Sequence, residues 1–160
     1  KIQNELEKIQ TYMIDKKIKS DDLNKLLNIK ISDDFDLIKD NALKGNKITT
    51  NKLLSNTILE VEKTPFYVAM LNTRLNRLKE IISSSKNTNI SQRIDNMKPP
   101  IFWKDKSNYL DQIKVWDLNK INKALKITYE LEVKVKSNAN VNKNLLIKKL
   151  LIDICLLATS

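Results

Sequence analysis

The stretch MKPPIFWKD, residues 97–105, separates two halves of the chain that both have the pattern of amphipathic helices. It contains the one pair of adjacent prolines in the sequence, Pro99 and Pro100. Because a proline fixes its own φ and pushes the preceding residue out of the helical region, a helix cannot run through this point. We therefore predict two helical arrays joined by a stiff, extended connector over residues 97–105.

Three large apolar side chains follow the prolines and precede a cation. Burying each of Ile101, Phe102 and Trp103 would contribute about 2–3 kcal/mol, so one hypothesis is a plug that inserts between helices. The other hypothesis is a partner contact, because aromatic side chains beside basic ones are typical of interface anchors. The candidate connector or interface residues are Pro99, Pro100, Phe102, Trp103 and Lys104.

Composition indicates an all-α fold. The chain has 160 residues, 41% of them hydrophobic, which suffices for the core of one domain or slightly more. It contains one glycine and three prolines, whereas an all-β protein needs many turn glycines. Apolar residues recur at helical spacing along the chain and no period of 20–50 residues repeats. We predict an all-α helical bundle of about seven or eight helices.

The residue types exclude most catalytic and metal chemistry. The chain has no histidine and a single cysteine, Cys155, which removes Ser-His-Asp and Cys-His machinery, nearly all zinc and iron–sulfur sites, and disulfide frameworks. The glycines of a phosphate-binding loop are also missing. We expect no enzyme, no catalytic, cofactor-binding or metal-binding residues, and an inert Cys155 in the core.

The setting that the sequence indicates is a reducing, cytoplasmic one. No apolar run reaches the roughly 18 residues of a membrane span, and the start of the chain lacks the pattern of a signal peptide. The sequence begins at Lys1 in the middle of a helical pattern and without an initiator methionine. We expect it to be part of a longer protein.

The formal charge of +10 suggests an acidic partner such as nucleic acid. Two observations weaken that inference. Lys, Asn and Ile are abundant together and share AT-rich codons, so base bias alone could make the chain basic. Only three of the 29 cationic residues are arginine, although arginine is the residue that makes bidentate contacts with nucleic acids. Base bias and a nucleic-acid partner both remain open.

Local signals predict where helices begin and end. A lone glycine, Gly45, follows an apolar stripe and is expected in the left-handed conformation just after a helix. The predicted helix starts are Ser20, Ser32, Thr49 or Thr50, Thr64, Asp117 and Asn142. The predicted inward residues include Ile58, Val61, Ile82, Leu110, Ile113, Leu118 and Leu125. The final helix is apolar on most faces, and we expect it to lie centrally.

Three stretches resemble the delta subunit of the bacterial DNA polymerase III clamp loader. The segment NELEKIQTY (residues 4–12), followed by IKSDDL (18–23), is similar to the end of that family's lid domain. The segment MKPPIFWKDK (97–106) is similar to its Pro-Pro-aromatic connector, with Lys98 in place of arginine and Trp103 in place of phenylalanine. The resemblance covers essentially the whole chain.

The resemblance implies two domains and an assembly role. Residues 1–28 would be the end of an AAA+ lid and residues 29–160 a helical collar. The collar would pack against the motor (gamma/tau) and delta-prime subunits in a five-membered ring. A missing N-terminal domain would contact the sliding clamp, and the full complex would act on primed DNA. The subunit would be a non-catalytic member of an assembly with DNA-directed DNA polymerase activity.

Two other functions stay open. The chain could be a stand-alone basic helical module that binds nucleic acid, in which case its affinity for DNA should depend strongly on salt. It could also be a helical regulator or scaffold of another kind, which would bind neither DNA nor clamp-loader subunits.

Overall fold

The computed structural model describes residues 31–84, 89–137 and 142–160, and the side chains from residue 35 onward. Within these ranges every regular element is helical, which confirms the all-α prediction. Seven α-helices are described: α1 Ile31–Leu43, α2 Lys47–Asn56, α3 Thr64–Ser83, α4 Ile90–Asp95, α5 Lys106–Val115, α6 Leu118–Ser137 and α7 Lys143–Thr159. Short 3-10 helices occur at Val61–Lys63 and Trp103–Asp105.

The chain divides into two compact units, Lys1–Asp36 and Leu37–Ser160. The second unit begins within α1 and contains α2 to α7. The helices predicted before residue 29 and the predicted domain boundary between residues 28 and 29 lie outside the described residues, so both stay predictions.

Helix α3 is the centre of the second unit, where it packs against α4, α5, α6 and α7. Its buried apolar stripe contains Val68, Leu71, Leu75 and Leu78, as its three- and four-residue spacing predicts. Each such side chain contributes about 1.5–3 kcal/mol when it is fully buried. The opposing surfaces come mainly from α6 and α7. Their buried residues are Ile121, Ala124, Thr128, Leu131, Val135, Ile147, Leu150, Leu151, Ile154, Cys155 and Ala158.

The final helix, α7, is buried on one side only. It packs against α2, α3 and α6, but Leu145, Ile152 and Leu156 are exposed. The expectation that this helix lies centrally is therefore wrong for this face, because no described element covers it. None of the described helices combines the length and the apolar content needed to cross a bilayer.

Three predicted helix boundaries are confirmed by their geometry. Gly45 follows α1 with φ of 75°, the left-handed conformation that glycine adopts without strain. The Asp117 carboxylate accepts a hydrogen bond from the amide of Lys120 at 2.8 Å at the start of α6. The Asn142 side chain accepts one from the amide of Leu145 at 3.1 Å at the start of α7. Each side chain satisfies an amide that the first turn leaves unpaired.

Two predicted caps are wrong. Helix α2 begins at Lys47, directly after the turn at Gly45. Thr49 and Thr50 therefore lie inside the helix and do not cap it. Thr64 is the first residue of α3 and not its cap; its hydroxyl donates to the carbonyl of Val61 at 2.7 Å. A 3-10 turn at Val61–Lys63 leads into α3 and takes the place of a cap.

Some predicted inward positions are also wrong. Helix α2 ends at Asn56, so Ile58 and Val61 are exposed and Leu59 is buried between them. In the other helices the buried stripe lies slightly to one side of the predicted one. On α3, Ile81 is buried and the expected Ile82 is not. On α5, Tyr109 and Gln112 are buried in place of the expected Leu110 and Ile113. On α6, Ala124 is buried in place of Leu125, and Leu118 is exposed.

Gly45→Ala should destabilise the chain through both backbone strain and a clash. A left-handed conformation costs a residue with a Cβ about 1–2 kcal/mol, and the new Cβ would lie 2.7 Å from Cγ2 of Thr159. We expect urea denaturation to show a loss of at least about 1–2 kcal/mol in the free energy of unfolding. Thr159→Ala in the same chain should recover the part due to the clash. An unchanged stability would contradict the assigned conformation.

Candidate functional site

The connector begins after α4 and is anchored on both sides of its exposed tip. Met97 and Ile101 are buried, while Pro99 and Pro100 are exposed. Arg77 of α3 donates a hydrogen bond from Nη2 to the carbonyl oxygen of Pro99 at 2.5 Å. A guanidinium that holds a backbone carbonyl fixes the path of the main chain at that residue, where proline has no amide of its own to pair.

The far end of the connector is held by a partly buried ion cluster around the buried side chain of Arg74. Nη2 of Arg74 lies 2.7 Å from Oδ2 of Asp105, at the connector's end, and 3.4 Å from Oδ1 of Asp40 on α1. Its guanidinium carbon lies 4.0 Å from the ring centroid of Tyr109 on α5. One side chain of α3 therefore joins α1, the connector and α5. We call Arg74, Asp40, Asp105 and Tyr109 the Arg74 clasp.

Two amides of α5 complete the polar surroundings of the clasp. Asn108 donates from Nδ2 to Oδ2 of Asp40 at 3.1 Å and to Oδ1 of Asp105 at 3.0 Å. Gln112 donates from Nε2 to Oδ1 of Asp40 at 3.2 Å. Buried charges are tolerated only when they are paired and hydrogen-bonded, and the two carboxylates meet this condition through α5.

Burial raises the pKa of Asp40 above its ordinary value of 3.8. The positive charges of Arg74 and Lys39 act in the opposite direction, and the negative charge of Asp105 adds to the rise. Desolvation is the largest of these influences, as expected for a carboxylate held inside the bundle.

A second polar contact fixes α1 to the end of α5. The indole Nε1 of Trp116, the residue after α5, donates to the carbonyl oxygen of Leu43 at 2.7 Å, and this bond is buried. Leu43 is the last residue of α1, whose final carbonyls have no partner within the helix. The indole satisfies one of them while its ring fills the core.

The aromatic pair of the connector faces outward. The side chains of Phe102 and Trp103 are 62% and 68% exposed, and their ring centroids are 5.8 Å apart. Nζ of Lys104 lies 5.2 Å from the ring centroid of Trp103. These three residues, which we call the connector tip, form one continuous exposed cluster. An aromatic ring beside a cation is well suited to bind a partner surface.

The plug hypothesis is correct for one residue and wrong for two. Ile101 is buried, but Phe102 and Trp103 are not. The reason is the turn that follows, in which the amide of Asp105 donates to the carbonyl of Phe102 at 2.9 Å. This turn brings Asp105 back to Arg74, and the two aromatic residues lie on its outer side.

The described residues show neither a metal-binding cluster nor an accessible thiol. No group of three or more His, Cys, Asp or Glu side chains in this part of the chain could hold a metal ion. Cys155 is buried, and burial raises the pKa of its thiol, which lowers the fraction of reactive thiolate.

The three residues of the connector tip were among the candidates predicted from the sequence, but the residues that hold the tip were not. The signal for Arg74 and Arg77 was present, because arginine is scarce in the chain and these two lie three residues apart on α3. A planar guanidinium with five donors suits a contact with two carboxylates, which lysine cannot reproduce. The partners Asp40 and Asp105 carried no such signal, because they are distant in sequence from Arg74.

No family model, no curated protein and no solved structure matches this chain. The geometry and the sequence are therefore the basis for assigning a function.

Arg74→Met should strongly destabilise the second unit. It removes the cation from between Asp40 and Asp105. Breaking a fully buried ion pair costs about 3–5 kcal/mol, and because both carboxylates are partly exposed we expect a smaller loss, about 2–3 kcal/mol. Arg77→Met is the matched control, because Arg77 is less buried and makes one hydrogen bond to Pro99; we expect a loss of about 1–2 kcal/mol there. Urea denaturation measures both. Equal losses would contradict the central role of Arg74.

Asp40→Asn should change how stability depends on pH. Because the pKa of Asp40 is raised on folding, its contribution to stability is complete below the unfolded pKa and is lost as pH rises through the folded pKa. The free energy of unfolding of the wild-type chain, relative to Asp40→Asn, should therefore fall as pH rises above about 4. Denaturation at a series of pH values measures this difference.

Asp111→Asn is the control, because its effect on the pH dependence of stability should have the opposite sign. A hydrogen bond from Lys114 lowers the pKa of Asp111, so the stability that this carboxylate contributes is lost as pH falls. If both variants gave slopes of the same sign, burial would not be the dominant influence on Asp40.

Proposed function

We propose that this chain is a non-catalytic assembly module that binds a protein partner through the connector tip. The assembly that its sequence resembles is the bacterial clamp loader, in which it would form the collar of the delta subunit beside the motor and delta-prime subunits. In the whole protein this collar would support opening and loading of the sliding clamp on primed DNA, with the clamp itself bound by a domain outside this sequence.

The observation that carries the proposal is an exposed aromatic pair on a firmly held backbone. Phe102 and Trp103 are exposed, while the residues on both sides of them are fixed by Ile101 in the core and by Asp105 at Arg74. Interface hot spots are rich in tryptophan, and a pre-ordered contact loses little conformational entropy on binding. The tip therefore has the chemistry of an interface anchor and a backbone that is held on both sides.

A nucleic-acid-binding module is the second candidate, and the same cluster favours it. Aromatic rings beside cations bind single-stranded nucleic acids by stacking on bases and attracting phosphates, and the chain has a formal charge of +10. Exposed aromatic rings alone do not distinguish the two candidates. The salt dependence of the binding affinity does, because each contact with a nucleic-acid phosphate releases counterions.

Trp103→Ala should leave the chain folded and weaken assembly. Because Trp103 is mostly exposed, its removal should change the free energy of unfolding by no more than about 0.5 kcal/mol. Loss of an interface hot spot of about 2 kcal/mol corresponds to about 30-fold weaker binding. Size-exclusion chromatography with the motor and delta-prime subunits of the same organism, followed by a titration, measures the effect.

Tyr129→Ala provides the matched control, since Tyr129 on α6 is 65% exposed and lies outside the connector. It should assemble as the wild-type chain does. A folded Trp103→Ala variant with normal assembly would refute the role of the tip. If the wild-type chain did not co-elute with any subunit but bound primed DNA with a steep salt dependence, the nucleic-acid candidate would replace the first.

A further inference from the structure

A second exposed apolar surface lies where α2 meets α7. Two adjoining depressions share Lys47 at the start of α2. One is lined by Lys47, Thr50, Asn51, Ile152, Cys155 and Leu156, and the other by Gly45, Asn46, Lys47, Ile48, Thr49 and Thr159. We call this surface the α2–α7 face. It shares no residue with the connector tip.

Three aliphatic side chains of the α2–α7 face extend into solvent. Ile48 is 86% exposed, and Ile152 and Leu156, one turn apart on α7, are also exposed. Ile152 and Leu156 line one depression on the exposed side of α7, and Ile48 lines the adjoining depression at the start of α2. A single exposed aliphatic residue is ordinary, but a cluster around two adjoining depressions is typical of an interaction site.

The charged residues of the α2–α7 face are lysines. Among the described residues no carboxylate lines either depression, and α2 carries Lys47 and Lys52 without any acidic residue. Lys47 forms no ion pair within the described part of the chain, and it lies close enough to Cys155 for its charge to act on the thiol. The acidic residue of α7, Asp153, is paired with Lys149 at 2.7 Å.

We infer that the α2–α7 face binds an amphipathic helix of a neighbouring protein subunit, with the apolar stripe of that helix on Ile48, Ile152 and Leu156 and an acidic side chain at Lys47. This inference rests on the proposed assembly function and names a second contact for it. An apolar stripe in a groove is a common mode of helix recognition, and a flanking carboxylate would complement the unpaired lysine.

Two other occupants fit the face less well. Nucleic acid gains stacking energy from aromatic rings, and none lines either depression among the described residues. A second copy of this chain related by two-fold symmetry would place the same patch against itself. Among the described residues the face has no carboxylate of its own, so a self-contact would leave Lys47 without an acidic partner.

Ile48→Glu tests the inference in the full chain. Sedimentation velocity titrations would measure binding to the motor and delta-prime subunits. Because the substitution puts a carboxylate among apolar contacts, we expect at least about tenfold weaker binding than for the wild-type chain. Lys47→Glu should also weaken binding and reduce its dependence on salt. Ile58→Glu is the matched control, since Ile58 is 85% exposed and lies outside the face; it should bind normally.

The possible outcomes separate this inference from the proposed function. A wild-type chain that binds no subunit would overturn both. A wild-type chain that binds normally, with Ile48→Glu and Ile58→Glu indistinguishable from it, would overturn the α2–α7 face and leave the assembly function intact. Ile48→Glu could instead abolish self-association or DNA binding and leave subunit binding unchanged. That result would assign the face to a different occupant and overturn the inference.

Discussion

The contact between the Arg74 guanidinium and two carboxylates determines how the connector meets the bundle. Arg74 lies on the central helix α3, and its partners Asp40 and Asp105 come from α1 and from the end of the connector. A buried ion pair is not a strong source of net stability, because desolvation offsets most of the attraction. It is specific, however, since a wrong arrangement would leave an unpaired charge inside the bundle. The clasp therefore selects one path for the connector.

The Arg74 clasp holds one end of the connector tip. Asp105 is held at Arg74 and Ile101 is held in the core, so the three residues between them are held at both ends. Hydrophobic burial alone would favour taking Phe102 and Trp103 inside as well. Their exposure on a backbone held at both ends is the feature that folding energetics do not explain, and it is the reason for the proposed partner contact.

The parts of the site differed in how well the sequence predicted them. The connector was readily identified, because Pro99 and Pro100 act on their own backbone and on the residue before them. The direction of Phe102 and Trp103 could not be predicted, because it depends on the hydrogen bond that Arg74 donates to Asp105, 31 residues away. The α2–α7 face was also not predictable from the sequence. Ile152 and Leu156 have the same local pattern as the buried residues of α7, and only the positions of α2, α3 and α6 leave them uncovered.

The sequence by itself determined the helical class, the break at the prolines, the left-handed turn at Gly45 and the caps at Asp117 and Asn142. These features depend on residues within about one helical turn of each other, so the local chain contains all the information. Only the tertiary structure decided which apolar residues are buried and which are presented to solvent. Burial depends on neighbours that are distant along the chain, and helical periodicity identifies an apolar side of a helix without identifying what covers it.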